Sequence, residues 1–344
     1  MDPEHTGTQR YRSGLVLGKF LPPHRGHQFL IDFARACVEE LTVLVCSIAS
    51  EPIAGSRRFA WMRELYPDCR VIHIDDELPQ QPGEHPDFWR LWHEAIRRRV
   101  TAGPDCVFAS EDYGRPLADL LGAAFMPVDL AREQVPVSAS MIRADPLAHW
   151  SYLPPCVRPY YVRRVCLFGP ESTGKSTLAR ELARQYETVH VAEYARGLLD
   201  PKGGRCERDD IPIIARGQLA AEEALARHAN RVLFCDTDVL TTMIWSDLLF
   251  GDCPRWIVDA AAGQRYALTL LLDVDVPWVD DRQRFLPHSR ADFFARCRHT
   301  LRSAGRRYVT IRGNWEQRLV QARSAVDRML AGGDDRHPPS RAHE

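Results

Sequence analysis

Two short stretches of this chain bring together residue types that handle phosphate. One is Gly169-Pro170-Glu171-Ser172-Thr173-Gly174-Lys175-Ser176, which fits the spacing G-x-x-x-x-G-K-[ST] at every fixed position. Glycines let backbone N–H groups close on a polyphosphate, Lys175 sets a point charge on the terminal phosphates, and the Ser176 hydroxyl can ligate Mg²⁺. Gly169, Ser172, Thr173, Gly174, Lys175, Ser176 and Thr177 are therefore the candidate ATP-binding set of this stretch, with Lys175 as its catalytic cation. The other stretch holds His24-Arg25-Gly26-His27, two imidazoles three residues apart. On a helix that spacing is one face, and at an N-terminus the face carries free backbone donors. Two imidazoles and helix amides can donate hydrogen bonds to a pentavalent α-phosphate and a departing pyrophosphate with no covalent intermediate. Gly26 removes the Cβ that would hold a phosphate away. The competing readings are a metal pair or two surface histidines; zinc needs a third and a fourth ligand, and none stands at ligand spacing nearby.

The elements that must position these residues are visible as patterns. Apolar residues 164–168 run into the glycine loop, and the amphipathic segment 176–183 leaves it, so the order is strand, loop, helix. That setting argues against a chance glycine-rich turn. Residues 14–20 run into a Gly/Pro turn before the histidines, and Leu30, Phe33, Ala34, Cys37, Val38 and Leu41 keep helical spacing after it. Strand patterns at 14–20, 41–48, 70–74, 105–109 and 124–128, then at 163–168, 188–192, 231–235, 268–273 and 307–311, alternate with helical stretches. This predicts an α/β protein with two parallel-sheet domains, binding ligands at the strand C-terminal edges. The loop sits near the middle of the chain and leaves about 150 residues upstream that one kinase core does not need. The expected division is 13–152, a proline-dense connector 153–162, a second domain 163–331, and a Gly/Pro/Asp/His tail 332–344 expected to be disordered.

Composition sets bounds. With 344 residues, 45% apolar and 26% charged, the chain can bury two ordinary cores. A net charge of −1 provides no global field toward nucleic acid or membrane, and neither is expected as a partner. The ten cysteines show no C-x-x-C pair, and Cys46, Cys166 and Cys235 lie in strand-like runs, which reads as reduced core in a cytoplasmic protein. No apolar run approaches membrane-spanning length, and residues 1–12 lack the apolar stretch of a signal peptide.

Other residues could complete the two sites. The strand 231–235 delivers Asp236 and Asp238 to the nucleotide edge, where one carboxylate could hold Mg²⁺ and another orient or deprotonate an acceptor hydroxyl. Asp238 also fits an N-cap. Glu193, Tyr194 and Arg196 follow the second strand of that half and suit acceptor recognition. Trp278 could stack on a cationic ring or be plain core. Phe88 and Trp92 share a helical face and Trp89 points elsewhere, so a stacking role for Trp89 or Trp92 stays open from spacing alone. Ser138 and Ser140 stand at an expected helix start with Arg143 on the side of Ser140, offering hydroxyls, amides and a guanidinium fork to ATP phosphates; the alternative is a surface helix whose Arg143 pairs with Asp145.

The H-x-G-H stretch resembles the signature of the class I nucleotidylyltransferases, and Ser138-Ala139-Ser140-Met141-Ile142-Arg143 resembles their second, S-[ST]-x-x-R-like signature. Together with Gly18-Lys19-Phe20, Trp89, Trp92, Ser110-Glu111 and the bridge from Met141 to Arg163, the chain resembles, from residue 13 to about 331, the NadR-type family of bifunctional nicotinamide mononucleotide adenylyltransferases and ribosylnicotinamide kinases. The resemblance implies a Rossmann-like nucleotidylyltransferase followed by a P-loop kinase. It implies catalytic roles for Lys19, His24, His27, Arg143, Lys175 and Asp236, and ATP contacts from Gly18, Phe20, Ser138 and Ser140. Trp89, Trp92, Glu193, Tyr194, Arg196, Asp238, Trp278 and Asp281 would hold the pyridine substrates, and Arg284 would close on ATP from a lid. Arg282 stands where the family has glycine. Expected small molecules are ATP, nicotinamide riboside, nicotinamide mononucleotide and NAD, with Mg²⁺ as cofactor and a homo-oligomer left open. Some family members carry an additional N-terminal helix-turn-helix repressor domain, which the residues from Met1 to Arg12 are too few to form. A phosphopantetheine adenylyltransferase joined to a dephospho-coenzyme A kinase has the same layout, and a nucleotide-sensing regulator with little turnover is the alternative from another class.

Overall fold

The computed structural model describes residues 10–279 and 289–332. The expected Asp281 and Arg284 contacts, Arg282, and the tail beyond Gly332 lie outside the described residues. The chain divides into two compact units, Met1–Val157 and Arg158–His337, so the division falls inside the stretch 153–162.

The first unit is built on a parallel sheet of β1 (Tyr11–Gly18), β2 (Val38–Cys46), β3 (Arg70–Ile74), β4 (Cys106–Ala109) and β5 (Ala124–Pro127), in the order β3-β2-β1-β4-β5. The chain winds away from β1 in both directions, which makes the C-terminal edge between β1 and β4 a topological switch point, the place where such sheets bind ligands. Both faces are buried. Val16, Val43, Val45 and Phe108 pack with Leu30, Ile31 and Ala34 on one side, and Leu15, Leu44, Val107, Trp92 and Ile96 pack on the other. Near-continuous apolar strands follow from burial on both faces.

One expectation changes here. The helix Arg25–Cys37 passes directly into β2 at Val38, so Val38 and Leu41 are strand core rather than the end of a helical stripe, and Phe33 is 37% exposed. Val38 pairs with Tyr11 and Leu41 with Gly14. Ladder pairing against β1 outweighs a spacing that both periods allow.

The second unit has a parallel sheet of β6 (Arg163–Phe168), β7 (His190–Val191), β8 (Val232–Asp236), β9 (Leu268–Leu272) and β10 (Tyr308–Ile311), in the order β10-β9-β6-β8-β7. β6 is central, and the glycine loop leaves its C-terminal end. Leu178, Leu182, Ala322 and Val326 from the helices Lys175–Gln185 and Trp315–Ala331 cover one face. Ile211, Val239, Ile257 and Phe293 from four other helices cover the second. Each strand stretch expected from the sequence carries a strand, with ends shifted by up to three residues. Cys46, Cys166 and Cys235 are buried and free, and among the described residues no helix is long and apolar enough to cross a membrane.

Candidate active sites

At the C-terminal edge of β1 the backbone turns sharply. Phe20 takes a left-handed conformation at φ 48 and is almost fully buried. A non-glycine residue there costs on the order of 1–3 kcal/mol. The turn is clamped from beneath by Arg58, a fully buried guanidinium that donates to the carbonyls of Lys19 at 2.5 Å, Ile53 at 3.0 Å and Cys46 at 3.2 Å. Arg58 also pairs with Glu51, whose other oxygen meets the Lys19 ammonium at 3.1 Å. Lys19 is thus oriented by its partner while its side chain stays 45% exposed.

His24 is the N-cap of the helix Arg25–Cys37, and its Nδ1 accepts from the Gly26 N–H at 3.1 Å. An accepting Nδ1 places the ring proton on Nε2, leaving that nitrogen a donor. The His24 and His27 rings stack with centroids 3.7 Å apart, and Phe20 meets His27 edge-on at 4.9 Å. Burial, then the charge of Arg132, pulls the His24 imidazole down to about 4. Burial, the neighbouring ring and Arg132 hold His27 well below the ordinary histidine range, and its Nδ1 is enclosed without a partner. Burial thus favours the neutral form of both rings, which suits them to hydrogen bonding rather than to carrying charge. Gly26 is required for a reason the spacing does not show: a Cβ there would lie 2.9 Å from the His24 ring that caps the helix. Among the described residues no group of three His, Cys, Asp or Glu could hold a metal ion.

Arg143 reaches the same turn from the far end of the domain. It donates to the Leu21 carbonyl at 2.6 Å and to Ser140 Oγ at 3.1 Å, while Asp145 instead accepts from the Ala148 N–H. Ser138 caps the helix Ala139–Ala144 by accepting from Met141 N. The first and second signatures therefore converge on one strand edge. Arg132, which no sequence pattern marks, stands exposed on a neighbouring loop at φ 55, paired with Glu111 at 3.2 Å. The two tryptophans separate: Trp92 is 8% exposed with its indole N–H given to the Pro79 carbonyl at 2.9 Å, whereas Trp89 is half-buried and edge-on to Phe88. Trp92 packs in the core, and Trp89 is the more open of the two indoles.

In the second unit the loop's two special glycines meet different constraints. Gly169 has φ 135 and a Cβ on it would lie 2.7 Å from the Leu272 carbonyl; Gly174, the N-cap of the next helix, has φ 84. Lys175 folds back to donate to the carbonyls of Gly169 at 3.0 Å and Pro170 at 2.8 Å. Buried Thr173 donates to the Pro170 carbonyl at 2.8 Å. Ser172, at φ 57, accepts from the Val279 N–H.

A cavity of about 340 Å³ opens beside this loop, and its walls join Lys175 and Ser176 to Glu193, Arg196 and Trp245. Asp236 ends β8, is buried, and has one carboxylate oxygen without a partner. Burial, then the charge of Asp236, pushes the Glu193 carboxyl up to about 7, against the pull of Lys175 and Arg196. A carboxyl raised to about 7 beside a second, buried carboxyl suits acid–base work.

Three of the residues expected at the acceptor stand away from this cavity wall. Asp238 is fully buried as the N-cap of the helix Val239–Phe250, accepting from Thr241 N at 3.0 Å and Oγ1 at 3.2 Å and from Arg306 at 2.8 Å. Its oxygens serve the cap and the guanidinium. Tyr194 is outside the cavity walls, its ring lying on Gly217, where a Cβ would come within 2.3 Å of it. Trp278 is also outside them, with the Arg290 guanidinium 5.6 Å over its ring. The indole in the wall is Trp245, 4.6 Å from Phe293, beside Leu199, Ile211 and Ile214. Trp245 sits in an apolar helix, where nothing in its spacing distinguishes it from core.

Fold and sites define a two-domain α/β protein that joins a Rossmann-like nucleotidylyltransferase-type sheet to a P-loop kinase-type sheet. Residues 164–318 match the AAA domain family model. The trifunctional NAD biosynthesis/regulator protein NadR of Escherichia coli (strain K12) is 30% identical over 304 residues, 82% of this chain and 73% of that protein. Its counterpart from Salmonella typhimurium (strain LT2) is 30% identical over 298 residues, 80% of this chain and 72% of that protein. The chain belongs to the NadR family. The crystal structure of NadR protein in complex with NR superposes with a TM-score of 0.76 at 22% identity, covering 95% of this chain and 98% of that one. A NadR complex with NAD and AMP-PNP gives 0.75 at 21% identity, with the same coverage. Both share the fold of this protein.

Proposed function

We propose that this chain is a two-step enzyme of NAD biosynthesis. The second unit transfers the γ-phosphoryl group of ATP to the 5′-hydroxyl of nicotinamide riboside, and the first transfers AMP from a second ATP to the resulting mononucleotide, releasing pyrophosphate. The observation that carries the reading is the cavity in which the P-loop residues Lys175 and Ser176 share walls with Glu193, Arg196 and Trp245. It offers a phosphate cradle, a flat indole in an apolar wall for a cationic pyridinium ring, and the Glu193 carboxyl, whose proton affinity the nearby Asp236 helps to raise. Family membership supplies the substrate class.

In the kinase step the acceptor hydroxyl gives its proton to the Asp236–Glu193 pair as its oxygen attacks the γ-phosphorus. Lys175 turns from the loop carbonyls to the transferring phosphoryl, and backbone amides from Gly169 to Ser176 hold the β-phosphate. The unpartnered oxygen of Asp236 and the Ser176 hydroxyl are hard oxygen donors that suit Mg²⁺, which when bound neutralises charge on the β- and γ-phosphates. In the adenylyl step the mononucleotide phosphate attacks the α-phosphorus of ATP and the bond to pyrophosphate breaks. His24, His27 and the helix amides donate to the phosphate charge, and Arg143, anchored to the same turn, stands for the β- and γ-phosphates.

Product analysis tests the proposal. Purified protein given MgATP and nicotinamide riboside should form the mononucleotide first and NAD after it. Conversion of phosphopantetheine instead, or stoichiometric binding without turnover, would replace it with a coenzyme A enzyme or a nucleotide sensor.

A further inference from the structure

One large aromatic side chain of the second unit is exposed yet pressed against the phosphate loop. Trp315 is 53% exposed, and its ring lies so close to Gly174 that a Cβ there would come within 2.0 Å of indole Cη2. Its position is rigidly set. Arg318, one turn later and fully buried, donates to the carbonyls of Thr173 in the loop at 2.9 Å, Gly313 at 2.8 Å and Asp273 at 3.0 Å, and pairs with Asp275. Gly313, at φ 92, donates to Asp275 Oδ2 at 2.6 Å, and Asn314 and Gln317 close a capping box around the start of the helix. The indole is therefore held against the loop at Gly174 while half of it stays open to solvent. Trp315 is not in the wall of the acceptor cavity, so its open face is available to something else bound at the loop.

We propose that Trp315 is the platform on which the base of the phosphoryl donor stacks, with Arg318 as the positioning residue that locks it to the phosphate loop. The inference rests on the kinase reading of this unit. The side chains around the indole are engaged with their own backbone. Asn314 Oδ1 accepts from Gln317 N and Gln317 Oε1 from Asn314 N, both at 3.0 Å. Gln321 accepts from Arg312 N at 3.2 Å and donates to Arg312 O at 2.8 Å. Stacking tolerates any base, because every base has a π-face. The donor site therefore holds purine nucleoside triphosphates by their ring face, with little reading of the edge.

The test is riboside phosphorylation with the donor varied. Trp315→Ala should raise KM for ATP by about 10- to 100-fold, the range typical of losing one stacked base, with kcat and the riboside KM nearly unchanged. Trp315→Phe should recover most of the loss, and GTP should serve wild type within about tenfold of ATP. Inorganic tripolyphosphate, which has phosphates and no base, should inhibit wild type and Trp315→Ala equally, whereas inhibition by ADP should weaken in the variant. Equal weakening of both would show that the indole only props the loop and would overturn the proposal, as would an unchanged ATP KM in a variant of unaltered thermal stability. Calorimetric binding of ADP that is lost in Lys175→Ala reports this site without an acceptor. Absence of riboside turnover with that binding intact and sensitive to Trp315→Ala would count against the proposed function and not against this inference.

Discussion

The two candidate phosphate sites occupy equivalent places, each at the C-terminal end of the central strand of its own sheet, and carry charge in opposite ways. At the end of β1 the groups are neutral: two stacked imidazoles driven below the ordinary histidine range, a helix N-terminus, and cations held at the margin by Glu51, Glu111 and Ser140. At the end of β6 the groups are ionisable and of both signs, with the Lys175 charge acting against the mutual repulsion of Glu193 and Asp236. The difference follows from the nucleophile each site is proposed to serve. A mononucleotide phosphate arrives as an anion, so no base is needed and a carboxylate would repel it. A hydroxyl must lose a proton, so the second site needs an acid–base pair and a cation to keep that pair from repelling ATP.

The comparison can be broken most directly at Lys175. Lys175→Ala removes a full charge from the transferring phosphoryl, and riboside phosphorylation should fall by a factor on the order of 10³, with mononucleotide adenylylation intact. Loss of both activities together would show that the two units do not divide the chemistry. His27→Ala removes a neutral donor, for which ~10² in NAD synthesis is expected, with the riboside still phosphorylated. If chelators reproduced that defect in wild type and bound zinc tracked it, the histidines would be metal ligands.

The pH profiles should separate the sites as well. Glu193 is raised from the ordinary carboxyl value to about 7, so its charged form is gained as pH climbs through that value. Kinase kcat/KM should rise through about pH 7 and level off, and Glu193→Gln should flatten the profile. His24 is lowered to about 4, so its neutral form persists as pH falls, and NAD synthesis from the mononucleotide should hold well below the pH at which the kinase fails. A decline of NAD synthesis centred near the ordinary histidine value would contradict the neutral pair.

The smallest effect is expected at Arg143, whose guanidinium already holds the turn through Leu21 and Ser140. Arg143→Ala should raise the ATP KM of NAD synthesis by roughly tenfold, about what one charge-assisted hydrogen bond is worth. Arg143→Lys should recover part of it, having lost the planar fork. Normal kinetics in the alanine variant would reduce the residue to a tie between the helix Ala139–Ala144 and Leu21.

Sequence by itself determined the fold and marked the candidate phosphate-handling residues, because both signals are local. Apolar runs of strand length alternating with helical spacing specify parallel sheets, and a glycine loop or a histidine cap works through the backbone within a few residues of itself. The tertiary structure decided what surrounds those residues. Arg58 beneath Lys19, Arg132 beside the histidines, Trp245 in the cavity wall and Trp315 on Gly174 are brought to their partners by segments distant in sequence. It also decided between side chains that spacing leaves equal. Trp92 and Trp89 on one helix, or Asp236 at a strand end and Asp238 two residues on at a helix cap, are pairs of one residue type, and what separates them is which one finds its hydrogen bonds satisfied inside the protein. That depends on neighbours from other elements, which a one-dimensional pattern does not contain.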